Sequence, residues 1–252
     1  MDVVMPMGVK DFYIAQKNIL NINKFFDYET IYVIADKNTF GFFTKNFLKR
    51  NRVVLLDESS LLIGGGLSFA SVKDIIDKKG LENPSYGWYF QQFLKLAFAR
   101  TEYAKEEFLI WDADTIPLKH IDFKENGVYL FNLKVEHHIP YFDCIKKILG
   151  LDKAVKGSFI TEHIVVNSAI MNEMLDKIEG GSGKSFFEVI IDSLEKPVKF
   201  GFSEYETYGT YIYSLHPEKV KIRRLSTFRD AGKFYGRGVS QRKLAYLGKR
   251  FD

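Results

Sequence analysis

Two aspartates one residue apart close an apolar run in Phe108-Leu109-Ile110-Trp111-Asp112-Ala113-Asp114-Thr115. Four large apolar residues in succession read as a strand buried on both faces. Side chains alternate along a strand, which predicts that positions 112 and 114 point the same way. Two carboxylates at the end of a buried strand offer oxygen ligands to a hard divalent cation, Mn²⁺ or Mg²⁺. Such a cation keeps some waters and is held by one or two carboxylates plus substrate phosphates. Open α/β sheets also bind ligands just beyond strand carboxyl ends. The stretch therefore predicts an enzyme that handles a diphosphate through a metal.

Two other readings compete. Asp112 could cap the following turn while Asp114 is merely solvated. Asp-x-Asp-x-Thr after an apolar strand also opens the haloacid-dehalogenase phosphatases, with the first Asp as nucleophile and the second as acid/base. Those enzymes carry the motif near the amino terminus, with a downstream acidic pair. Here it begins at residue 112, and no Asp-Asp or Gly-Asp-x-x-x-Asp follows.

Further polar groups sit where elements begin and end. Ser203-Glu204-Tyr205-Glu206 has the Ser-x-x-Glu spacing of a capping box. Capping accounts for Ser203 and Glu206, while Glu204 in the first turn either suits the helix dipole or faces a cleft as a general base. In Tyr86-Gly87-Trp88-Tyr89-Phe90-Gln91-Gln92-Phe93-Leu94-Lys95, the residues Trp88, Gln91, Gln92 and Lys95 share helical spacing apart from the apolar positions. Because this helix precedes the aspartate strand, its polar side is expected to line the cleft. Glu136-His137-His138 lacks metal-site spacing and reads as a surface loop. His163 lies in a strand-like segment and could line a cleft. His216, beyond the helix that starts at Ser203, is a candidate third metal ligand. Gly183-Lys184-Ser185 fails as a phosphate loop, because residue 178 is Ile and the segment follows a helix. A glycine-rich helix terminus explains it better.

The elements that must position these groups alternate. Val3–Met5 reads as a strand, Asp11–Phe26 as a helix and Thr30–Ala35 as a second strand, which together make a right-handed βαβ unit. Val53–Leu56 is a third strand, followed by the loop Ile63-Gly64-Gly65-Gly66. Tyr86–Ala99 is a helix, Phe108–Trp111 the aspartate strand, and Gly127–Phe131 another strand. Helices are predicted over 141–149, 168–178, 186–194 and 203–214. The fold expected is α/β, a mostly parallel, Rossmann-like sheet flanked by helices in a single domain. Residues 1–120 would form its nucleotide-binding half, 121–216 its acceptor half and 217–252 a basic tail.

Composition supports such a core. The 252 residues are 46% hydrophobic and 27% charged, with 15% aromatic, enough for one large domain. One cysteine, Cys144, excludes an intramolecular disulfide and suits a reducing compartment. The start of the chain lacks the basic and apolar regions of a signal peptide, and no apolar run reaches membrane-span length. The expected location is cytoplasmic, with any membrane contact peripheral. From Pro217 onward eleven Lys and Arg face three Asp and Glu, so the tail carries +8 and the remainder −4. Such a tail suits an anionic bilayer surface, a pyrophosphate or a nucleic acid.

Taken in order, these segments resemble the GT-A glycosyltransferases, nucleotide-sugar enzymes with a Rossmann-like half and an Asp-x-Asp motif. The resemblance rests on the first strand ending at Met5-Pro6-Met7-Gly8, the second at Ala35-Asp36, and Trp111-Asp112-Ala113-Asp114. Gly87-Trp88-Tyr89-Phe90-Gln91-Gln92, Ser203 to Gly209 and Leu215-His216-Pro217 are similar to bacterial surface-polysaccharide transferases. It implies that Asp114 binds Mn²⁺ or Mg²⁺ bridging the phosphates of a UDP- or GDP-sugar donor, with Asp112 on the ribose or the metal. Pro6, Gly8 and Asp36 would hold the nucleotide together with Trp88 and Gln92, and Lys95 would offset phosphate charge. Glu204 or Glu206 would deprotonate the acceptor if the reaction inverts. The implied acceptor is a glycan or lipid-linked molecule in lipopolysaccharide or capsule synthesis, with the basic tail on the membrane. Alternatives are a sugar-phosphate nucleotidyltransferase or phosphotransferase using the same aspartates, and a non-catalytic nucleic-acid-binding module using the tail.

Overall fold

Five strands form the main sheet in the order β3-β2-β1-β4-β7. They are β1 (Asp2–Pro6), β2 (Ile31–Ala35), β3 (Val53–Asp57), β4 (Glu107–Trp111) and β7 (His163–Asn167). The first four are mutually parallel, and β7 runs antiparallel to β4 with Trp111 opposite His163. The chain leaves β3 at one edge and returns beside β1, so the crevice between the carboxyl ends of β1 and β4 is a topological switch point. The computed structural model describes residues 1–59, 61, 66–195, 199–228 and 239–250.

The mostly parallel, helix-flanked α/β sheet expected from the sequence is the one observed. Helix α1 (Phe12–Phe25) links β1 to β2, and α2 (Lys45–Arg50) precedes β3. Helices α3 (Phe69–Lys79) and α4 (Tyr86–Ala97) lead to β4. Helices α5 (Ile139–Leu149), α6 (Ser168–Glu179), α7 (Phe186–Ser193) and α8 (Glu204–Leu215) complete the body. Phe108, Leu109, Ile110 and Trp111 are all buried, as a parallel strand covered on both faces requires. Helix α6 ends at Gly180 in the left-handed region, and α7 opens with a capping box between Ser185 and Glu188. Gly183-Lys184-Ser185 is thus the link between two helices, and Lys184 pairs with Asp192.

A second sheet was not foreseen. It comprises β5 (Lys124–Glu125), β6 (Val128–Asn132) and β8 (Val220–Arg223), in the order β5-β6-β8. The strand expected over 127–131 belongs here, and the basic carboxyl-terminal stretch, after a 3-10 turn at Pro217–Lys219, supplies a strand paired in parallel with β6. That stretch also forms helix α9 (Gln241–Arg250), which buries Leu244 and Leu247. Gly248 lies so close to the Leu118 carbonyl that an added Cβ would stand 2.8 Å from it. Helix α9 therefore rests on the loop leaving the aspartates. Ile63, Gly64 and Gly65 of the glycine loop, and Arg229, Lys233 and Arg237 of the tail, lie outside the described residues.

Candidate functional site

Strand β4 ends at Trp111, and Asp112 to Thr115 form a tight turn closed by Thr115 N–H donating to the Asp112 carbonyl at 3.1 Å. Both aspartates thus lie in the turn, and the strand alternation expected at 112 and 114 does not apply to them. The turn is stapled from beneath by α1. The Asn18 amide donates to the carbonyls of Asp112 and Ala113 at 3.0 and 3.1 Å, and its oxygen accepts from the Trp111 indole at 3.2 Å. Asn21, one helical turn on, donates to the Pro117 carbonyl at 2.9 Å. Both asparagines are buried, and at this spacing they share one face of α1.

The two carboxylates have different surroundings. Asp112 Oδ1 accepts from Lys95 Nζ at 2.6 Å and from the Tyr205 hydroxyl at 2.7 Å. Its side chain keeps 22% exposure, against 5% for Lys95, which leaves Oδ2 as the oxygen available at the crevice. Asp114 is exposed. Surrounding protein and the negative charges of Asp112 and Asp11 hold its carboxyl above the usual carboxylate range. A dication would relieve that repulsion, so these two side chains fit a hard cation that also takes phosphate oxygens. Among the described residues no group of three or more His, Cys, Asp or Glu is gathered into a protein cage for a metal.

His216 does not join them. It caps the far end of α8 and pairs with Glu173 at 3.2 Å. Glu204, at the near end, reaches Asp112 through Lys95, and twelve helical residues separate those ends by roughly 18 Å.

Lys95 is buried and bridges Asp112 to Glu204, whose Oε1 lies 2.6 Å from its Nζ. Burial works against its ammonium, but the two carboxylates outweigh that and hold its pKa above the ordinary lysine value. Its charge is spent inside the protein, so it does not offer the phosphate contact expected of it. Glu204 is equally buried, and burial raises its carboxyl against the pull of Lys95. Its backbone N–H donates to Gln92 Oε1 at 3.0 Å. Gln92 is therefore a buried cap for the first turn of α8 rather than a cleft residue.

Glu206 is also turned inward. Ser203 caps the Glu206 N–H, but the Glu206 carboxylate leaves the expected capping box and accepts from Ser158 Oγ at 2.5 Å and Phe159 N–H at 3.0 Å. Neither glutamate of α8 is placed to take a proton from a substrate in the crevice.

The remaining candidates lie around the rim. The Pro6 carbonyl accepts from Gln91 at 3.2 Å, while Gly8 is exposed just beyond β1. Asp36 is exposed beyond β2 and caps a short 3-10 turn by accepting from Asn38 N–H at 2.8 Å. Trp88 is half-buried against Phe200 and Tyr141, with ring centroids at 4.9 and 6.2 Å. Its ring packs within an aromatic group instead of standing free for stacking. His163 is buried under Trp111 and bonded to Asn132 at 2.8 Å, and burial lowers its pKa to about 4. His137 is exposed, whereas His138 bonds the Phe200 carbonyl at the start of α5. The Cys144 thiol is buried and raised to about 12, as an inert core residue would be.

Four residues that matter here were not candidates in the sequence: Asn18, Asn21, Tyr205 and Glu162. The asparagines were detectable as polar residues on the apolar face of α1. Glu162 enters through its backbone, whose carbonyl accepts the Asp112 N–H at 3.0 Å.

Fold and turn together define a doubly wound α/β protein with an acidic site at its switch point. The chain belongs to DUF6492, a family of unknown function whose model matches residues 2–230. No curated protein matches it. Among solved structures it is similar to mouse xyloside xylosyltransferase 1 in its apo form, at 13% identity over 98% of this chain and 94% of that one, with a TM-score of 0.48. It is also similar to the galactosyltransferase LgtC in complex with donor and acceptor sugar analogues, at 9% identity over 100% and 96% of the two chains, with a TM-score of 0.39. The apo glycosyltransferase GlyE of Streptococcus pneumoniae is similar at 11% identity over 88% and 44%, with a TM-score of 0.35.

Proposed function

We propose that this protein is a metal-dependent glycosyltransferase that takes a sugar from a nucleotide-sugar, a UDP- or GDP-sugar, to a glycan or lipid-linked acceptor. One observation carries the reading: the Asp112–Thr115 turn at the β1/β4 switch point, with Asp112 locked by Lys95 and Tyr205 and Asp114 left open. The order of segments resembling GT-A enzymes along the sequence supports it.

In this reading Asp114 and Asp112 would hold Mn²⁺ or Mg²⁺ beside the donor's phosphates. When bound, the cation supplies Lewis-acid stabilisation of the departing diphosphate. The strand ends around Pro6, Gly8 and Asp36 receive the nucleoside. Lys95 and Tyr205 act behind Asp112, fixing which oxygen it presents. Asn18 fixes the backbone of the turn, so the carboxylates are organised before substrate arrives.

The bacterial surface-polysaccharide role belongs to the same proposal. Its support is the basic carboxyl-terminal stretch, of which α9 presents Arg242, Lys243 and Lys249 beside the aspartate loop. Among the described residues no helix is long and apolar enough to cross a membrane, so contact with an anionic bilayer would be peripheral.

The test is a panel of nucleotide-sugars scored for release of nucleoside diphosphate with Mn²⁺ or with EDTA, and for binding by calorimetry in the same samples. One donor that binds only with metal and loses binding in Asp114→Ala supports the reading. No metal-dependent binding of any nucleotide overturns it.

A further inference from the structure

Glu162 has a backbone φ of +61°, in the left-handed region. Asn83 and Asn126, also at positive φ, are of a residue type that tolerates it. Glutamate is not, so its place must be enforced by its surroundings. The enforcement is visible. Gly157 passes so near the Lys134 carbonyl that a Cβ there would stand 2.9 Å from it. Ser158 and Lys134 exchange backbone hydrogen bonds at 2.9 Å. Glu206 holds Ser158 and Phe159 from α8, and the Phe159 ring lies against Gly209. The segment thus ends with the Glu162 carbonyl on the Asp112 N–H and its carboxylate paired with Lys134.

Position adds a second argument. If the nucleoside lies over the ends of β1 and β2 and the diphosphate over the Asp112 turn, the sugar must extend beyond β4, toward β7. Glu162 is the residue immediately before β7, directly across from that turn. Its side chain is 20% exposed, whereas that of Glu204 is 5%. Its charge also acts on the Tyr205 hydroxyl that holds Asp112.

We infer that the Glu162 carboxylate, buttressed by Lys134, accepts hydrogen bonds from hydroxyls of the transferred sugar and so helps select the donor. This rests on the glycosyltransferase reading above. Carboxylate-to-hydroxyl bonds are charge-assisted and directional, which suits recognition of a polyol.

The experiment is calorimetry with Mn²⁺ on the full chain, using UDP and GDP beside UDP-glucose, UDP-galactose and GDP-mannose. Glu162→Gln keeps the side-chain shape, and Glu162→Gly accepts the positive φ without strain. A thermal midpoint for the glycine variant no lower than for the glutamine variant would show that the segment still folds. The expected result is a nucleotide-sugar Kd weakened about 10- to 100-fold in both variants. The Kd for the matching nucleoside diphosphate should stay within about threefold of wild type, well short of that loss. Equal weakening of both ligands, or of neither, would overturn the role of Glu162. Wild-type binding of the diphosphates without any sugar nucleotide would overturn it too, while leaving the nucleotide site standing. Wild-type binding of no nucleotide would remove the glycosyltransferase reading and this inference together.

Discussion

Lys95 Nζ lies 2.6 Å from Asp112 Oδ1, and that same ammonium is the link between the aspartate turn and the first residue of α8. A buried cation between two carboxylates stabilises little by itself, since desolvation offsets most of the Coulomb attraction. Its removal is another matter. Lys95→Met would leave Asp112 and Glu204 as facing negative charges, and a loss of about 3–5 kcal/mol is expected for breaking such a buried pair. Tyr205→Phe deletes one hydrogen bond to the same oxygen and should cost about 1 kcal/mol. Urea unfolding of the two variants checks the ranking. A Lys95→Met protein as stable as wild type would mean that the bridge is not what organises the site.

The two aspartates should separate in the same way. Asp114 is exposed, and the surrounding protein together with the like charges of Asp112 and Asp11 raises its carboxyl, so Asp114→Asn is expected to leave the thermal midpoint unchanged or slightly higher while abolishing the stabilisation that Mn²⁺ plus nucleotide gives. Asp112→Asn should lower both, because it also strips Lys95 of a partner. Thermal midpoints with and without ligand distinguish these outcomes, since a bound ligand at about 100 times its Kd adds roughly 2.7 kcal/mol.

Much of this arrangement was legible in the chain. The apolar run 108–111 and the β-branched run at 30–35 read as strands from their length and residue types, beside helices of 3.6 period, and they became β4 and β2. What the sequence hid is where charge is spent. Lys95, Glu204 and Glu206 stand at polar positions of their helices, and a local pattern cannot show that α4, α8 and the 158–162 segment close over all three. Tyr205 and Glu162 were invisible because their partners lie far along the chain, Asp112 among them. β5 and β8 were missed because charge masks them: Lys124-Glu125 holds no apolar residue, and Val220-Lys221-Ile222-Arg223 lies in a basic run that reads as a solvated tail.

Two groups pull the response to acid in opposite directions. Glu58 follows β3, and burial, helped by the charges of Asp36 and Asp57, raises its pKa to about 7. An unfolded glutamate titrates near 4.3, so between about 4.5 and 7 the folded state holds a proton that the unfolded state has lost. Glu58 therefore contributes stability at low pH that fades as pH rises through that window. His163 acts oppositely. With its pKa lowered to about 4 by burial and by the nearby charge of Arg223, its contribution is full above about 6.5 and is lost as pH falls. Glu58→Gln should make the slope of stability against pH more positive between pH 5 and 6.5, by at most about 1.4 kcal/mol per pH unit. Partial exposure of Glu58 will reduce the figure. Urea midpoints at pH 5, 6 and 7 for wild type and variant measure the difference. Parallel curves would show that Glu58 ionises normally.

Gly209 offers a test of how the segment before β7 is held. A Cβ at this position of α8 would stand 2.3 Å from Cγ of Phe159, a distance no packed core accepts. The ring is buried, and its backbone N–H is the one that Glu206 accepts. Alanine here is otherwise a better helix former than glycine by about 1 kcal/mol. Steric and propensity effects thus oppose each other, and the overlap should win. Gly209→Ala is expected to destabilise the fold by about 1–3 kcal/mol, the usual range for overpacking. Gly209→Ala with Phe159→Leu should recover part of that loss, because the smaller side chain vacates the space the methyl needs. A double-mutant cycle read by urea unfolding gives the coupling, expected to be at least about 0.5 kcal/mol for residues in direct contact. Strict additivity would mean that the segment moves freely, and that Glu162 is not held at its positive φ by α8.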